Sequence, residues 1–143
     1  MLEIVLVLNA LWFGAGYHVF HLRGEIFAKK VVDREHRGTP VFLTLIQSGK
    51  FVAGFNLAFC VMNVLLLWKI EAFDRAIHWV IILIPIAVAH ATQFAFNVPV
   101  FIENKQGKGV WQVKGLMLFI FVIDFALMVL NSALVVGYLL FAG

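Results

Sequence analysis

Residues 55–63 read FNLAFCVMN and place Asn56 and Asn63 seven positions apart in an oily run; residues 123–131, IDFALMVLN, repeat the spacing with Asp124 and Asn131. Seven residues return to nearly the same face of an α-helix, about 20° short of two turns. Each stretch therefore predicts a helix that is apolar on most of its surface and carries one narrow polar seam.

The rest of the chain says what surrounds such helices. Hydrophobic residues make up 63% of its 143 positions, against roughly 45–50% in soluble domains. The sequence is that of an all-α, multi-pass integral membrane protein, with no length left over for a soluble catalytic domain. The single cysteine, Cys60, lies inside an apolar run, so one chain can build neither a disulfide nor a cysteine metal centre.

Four segments, about 2–22, 48–68, 78–102 and 115–141, approach the roughly 20 apolar residues a membrane-crossing helix needs. The first carries Glu3 in place of a basic leader, which favours a retained span over a cleaved signal. Residues 24–40, GEIFAKKVVDREHRGTP, have helical composition up to Gly38 and Pro40 and predict a cytoplasmic or interfacial helical connection. Its charges read as a headgroup-facing surface, and the net charge of +3 favours an anionic lipid bilayer as partner, with no nucleic-acid pattern.

Basic residues crowd the first and third loops, whereas Lys69 and Arg75 in the middle loop are balanced by Glu71 and Asp74. That bias predicts both termini on the non-cytoplasmic side. Trp68, Trp79 and Tyr138 then fall at the outer aromatic belt and Trp111 at the inner one. The expected architecture is a four-transmembrane-helix bundle of two hairpins. Aligning Asn56 with Asp124 and Asn63 with Asn131 is compatible with a duplicated hairpin and a pseudo-twofold axis along the membrane normal. In topology alone the arrangement is similar to the membrane-associated enzymes of eicosanoid and glutathione metabolism. Their basic and amide motif on the second helix is absent here: QSGKFVAGFN, residues 47–56, offers Lys50 and Asn56 without an arginine cluster.

The third span adds His90, Gln93 and Asn97 in an i, i+3, i+7 pattern, so three helices carry seams that should face inward. Pro99 should loosen the backbone there and free a carbonyl for Asn97 or water. The amides Asn56, Asn63, Gln93, Asn97 and Asn131 suit hydrogen bonding between helices or anchoring of a ligand's polar groups. Asp124 needs a partner, water or a proton at that depth, and Lys50 at the entrance of the second span is one candidate. His90 and Asp124 are the candidate acid–base residues.

His18 and His21, in YHVFH, are the remaining seam candidates. Helical rise puts them at least about 12 Å from His90 along the membrane normal, too far for an intrachain bis-histidine haem. No further ligand joins them at their own level, so haem and metal are disfavoured and no metal residues are assigned.

Three functions fit the residues. The first is a membrane protein whose polar seam binds a lipophilic ligand, or which supports a larger membrane complex or homo-oligomer. The second is a membrane enzyme acting on a lipophilic substrate through Asp124 and His90, and the third a proton or ion pathway along the seam.

Overall fold

The computed structural model describes residues 1–109 and 111–141. Its helices are α1 (Leu2–Tyr17), continued by a π-helical turn at His18–Leu22, α2 (Gly24–Val31), α3 (Pro40–Trp68), α4 (Ala76–Lys105) and α5 (Leu116–Phe141). Short 3₁₀ turns lie at Arg34–His36 and Ile70–Ala72, and no strand occurs among the described residues.

Four of the helical stretches are long and apolar enough to cross a membrane: Leu2–Leu22, Pro40–Trp68, Ala76–Lys105 and Leu116–Phe141. At about 1.5 Å per residue the first, of 21 residues, just covers a hydrocarbon core of about 30 Å. The second and third, of 29 and 30 residues, overrun it, which is why α3 begins before the expected residue 48 and α4 ends after 102. The chain thus has the all-α, four-span class its sequence implies.

What lies inside reflects the solvent. Phe55 is 69% and Phe96 76% exposed, a liability in water but an ordinary lipid-facing surface in a bilayer. Among the described residues, five of the ten largest fully buried side chains are polar: Asn9, Asn63, His90, Asp124 and Asn131.

The chain divides into two compact units, Leu6–Leu67 and Met1–Val5 with Trp68–Gly143. In the first, α1 runs against α3 with Phe13 stacked on Phe59, ring centroids 4.9 Å apart. Two devices fix the connection between them. Arg37 donates from Nε to the Val32 carbonyl and from Nη2 to the Lys29 carbonyl, closing the C-terminus of α2. Thr39 then caps α3: its Oγ1 accepts the Phe42 N–H at 3.2 Å, and Pro40 follows as the first helical residue, where its missing N–H costs nothing.

The second unit is the α4–α5 hairpin. Trp79 is not a belt residue: it is 4% exposed, and its Nε1 donates to the Phe73 carbonyl at 2.9 Å, pinning the turn before α4. Trp68, by contrast, is 72% exposed. Helix α4 continues through Pro85 and Pro99. Pro99 frees the Ala95 carbonyl by removing an i→i−4 bond, yet Asn97 Nδ2 reaches back to the Gln93 carbonyl instead.

At the far end of the hairpin Asn104 organises the loop. Its Nδ2 donates to the carbonyls of Lys108 and Trp111, and its Oδ1 accepts the Val113 N–H at 2.7 Å. Gly109, with φ +110, passes so close that a Cβ there would run into Asn104 Nδ2. Asn104→Ala should cost about 1–2 kcal/mol and accelerate backbone hydrogen exchange across 106–115, leaving exchange in mid-α4 unchanged; an unaltered loop would contradict this account.

Candidate functional site

Asparagine has a short side chain, and within a helix its NH2 can turn back to the carbonyl one turn earlier. Four of these amides do so. Asn56 donates to Val52, Asn63 to Phe59, Asn97 to Gln93 and Asn131 to Leu127, at 2.8–2.9 Å. Each of these amides thereby places one N–H on its own helix's backbone. Asn63 Oδ1 and Asn97 Oδ1 are buried without a hydrogen-bond partner among the described residues.

In the Leu6–Leu67 unit, Asn56 is held against Gly16 on α1. A Cβ on Gly16 would come within 2.8 Å of Asn56 Cγ and closer still to Oδ1. Seven residues back along α1 from Gly16 is Asn9, and seven forward along α3 from Asn56 is Asn63; in antiparallel helices those steps reach the same level. Asn9 is fully buried. It extends the seam to the first span, and its signal in the sequence was a lone amide in LVLNALW, residues 6–12, with no second polar group at helical spacing.

In the α4–α5 hairpin, His90 Nδ1 lies 3.2 Å from Asp124 Oδ1, and both side chains are 0% exposed. The neighbouring side chains on both helices are aromatic and aliphatic. Phe94, one turn from His90, stacks on Phe121 at 4.7 Å and leans on Phe125 at 5.0 Å. Leu83, Ile86 and Leu127 are buried on the same two helices. An ionisable group in such surroundings costs several kcal/mol unless paired, and the imidazole supplies the pairing. The arrangement can share or pass a proton between two buried atoms.

The other sequence candidates lie elsewhere. Gln93 and Asn97 are half-buried, while Lys50, His18 and His21 are exposed. In the π-helical turn His21 stacks on Tyr17, with centroids 5.1 Å apart. No group of three or more His, Cys, Asp or Glu side chains that could hold a metal occurs among the described residues.

A concavity the sequence did not announce lies in the Leu6–Leu67 unit. It is an apolar cleft of about 190 Å³ where the π-helical turn, α2 and α3 meet. Phe20 and Phe27, edge to face at 4.7 Å, form one wall; Leu45, Ile46 and Val52 on α3 form the other. Gly24 and Gly49 leave the space open between them. A Cβ would meet nothing closer than 3.8 Å at Gly24 or 3.7 Å at Gly49, so these glycines supply room and are not forced by a clash.

Helix α2 turns Phe27 and the fully buried Ala28 toward the unit and Glu25, Lys29 and Lys30 outward. Lys29 Nζ meets Glu25 Oε1 at 2.6 Å, and this lysine holds the Glu25 carboxyl below its ordinary 4.5. The bond supports α2 above that ordinary value and is lost as the pH falls through the lowered one. A second, shallower groove of about 300 Å³ lies at the α4 start, lined by Phe73, His78 and Ile81 among others.

No protein-family model, curated protein or solved structure matches the chain. The topological similarity to the eicosanoid and glutathione enzymes therefore carries no argument, and function rests on the side chains themselves.

Proposed function

We propose that this integral membrane protein binds a lipophilic ligand, with the basic first connection at the cytoplasmic face and both termini on the opposite side. The observation that carries the reading is the apolar cleft beside α2, a concavity bounded by aromatic and aliphatic side chains. The buried seam of Asn56, Asn63, His90, Asp124 and Asn131 gives each hairpin a fixed interior, and Gln93 and Asn97 extend it toward the end of α4.

One observation favours a second reading. The His90–Asp124 pair is a ready acid–base couple, and a lipophilic substrate reaching it would meet a group able to take or give a proton. Asp124→Asn separates the two: turnover would vanish in an enzyme, whereas ligand binding at the cleft would persist.

Native mass spectrometry of protein gently extracted from its own membrane, with an absorption spectrum of the same sample, tests the principal reading. A stoichiometric lipophilic molecule is the expected result. A bare chain, or one carrying only another polypeptide, would overturn it in favour of a supporting role in a membrane complex.

A further inference from the structure

We propose that the ligand of the α2 cleft is an anionic phospholipid, one acyl chain lying between Phe20–Phe27 and the α3 wall and the phosphate held at a basic rim; this rests on the lipophilic-ligand reading above. Shape argues for a chain. At about 190 Å³ the cleft is smaller than the roughly 300–1,000 Å³ of pockets that enclose compact small molecules. Part of a flexible acyl chain can occupy such a slot while the rest of the lipid stays in the bilayer.

Charge argues for the head group. Residues 23–50 hold six basic against three acidic side chains, an excess equal to the +3 of the whole chain. Two of the six are engaged within the protein: Lys29 by Glu25 and Arg37 by backbone carbonyls. Arg23, Lys30, Arg34 and Lys50 are exposed, and their side chains make no hydrogen bond or ion pair among the described residues. Arg23 and Lys50 directly adjoin Gly24 and Gly49, the two glycines of the cleft. Their long, flexible stems put both charged groups within reach of its edge. Ser48, the one polar side chain among the described lining residues, adds a hydroxyl where a glycerol ester would lie. An exposed cation near a bilayer attracts an anionic headgroup, and here the attraction is placed over an apolar slot.

The full-length protein in detergent, equilibrated with equimolar phosphatidylglycerol and phosphatidylcholine of matched chains, gives the test by native mass spectrometry. Phosphatidylglycerol should be retained in preference, and Arg23→Gln with Lys50→Gln should weaken it by about fivefold per charge removed. Gly49→Leu should abolish retention of both lipids. Ser48→Phe, at an exposed position on the same wall, fills the cleft should Gly49→Leu fail to give the wild-type helical circular dichroism. Equal retention of the two lipids, both lost on filling, would overturn the anionic assignment and leave the lipophilic reading standing. Phosphatidylglycerol still bound by the filled variants would place it on surface charge alone and overturn the cleft assignment. No retained lipid of either kind would overturn both readings.

Discussion

His90→Leu should lower the stability of the protein by about 3–5 kcal/mol, the cost of leaving a buried ionisable group without its partner. The variant removes the imidazole from Asp124, which is 0% exposed. Asp124→Leu should cost a comparable amount by removing the carboxylate from His90. The double variant His90→Leu/Asp124→Leu should recover most of the loss, because an apolar pair of similar volume needs no compensation in that shell. Reversible unfolding in mixed micelles, followed by circular dichroism, gives all four corners of the cycle. Single losses below about 2 kcal/mol would sink the expectation, since neutral hydrogen bonds between membrane helices reach only about 1.7 kcal/mol. The pair would then be an ordinary neutral contact.

The second large effect is expected at Gly16. In Gly16→Ala the new methyl meets the Asn56 carboxamide, which is 7% exposed and tied to the Val52 carbonyl at 2.9 Å. Either that bond breaks or α1 and α3 move apart, and overpacking of this kind costs about 1–3 kcal/mol. Asn56→Ala should be the suppressor: the double variant removes the obstructing atoms and restores stability. Neighbouring glycines supply the control. At Gly14 a Cβ would meet only Cys60 Sγ, at 3.4 Å, and at Gly54 and Gly137 it meets nothing within 4 Å. Gly54→Ala and Gly137→Ala should therefore be neutral or slightly stabilising through helix propensity. If Gly16→Ala proves as mild as they are, close approach at Asn56 is not what sets the α1–α3 spacing.

The four spans were legible because lipid imposes a length and a composition that few other constraints imitate. The seam was legible for a related reason: Asn56, Asn63, Asp124 and Asn131 are too costly in lipid to face outward, so their spacing marks the interior. Spacing along one helix says nothing, however, about the rotation of the next. Sequence offered Lys50 as the group to meet Asp124, while the hairpin turns His90 toward it. Asn9 escaped notice because a single amide has no period. The cleft was not legible because it depends on the tilt of the short helix α2 and on a π-helical turn, and neither has a compositional signature. Thr39 and Pro40, a cap followed by a helix-starting proline, could have placed the beginning of α3; the polar residues Ser48 and Lys50 obscured it.

The asparagines that bond to their own helices bear on how the chain reaches the membrane. A helix that takes one N–H of each amide onto its own backbone brings part of that polarity into lipid already satisfied, so Asn56, Asn63, Asn97 and Asn131 add less to the cost of insertion than their side chains suggest. Asp124 is bonded to His90 on another helix, so that contact closes only once α4 and α5 lie side by side in the membrane.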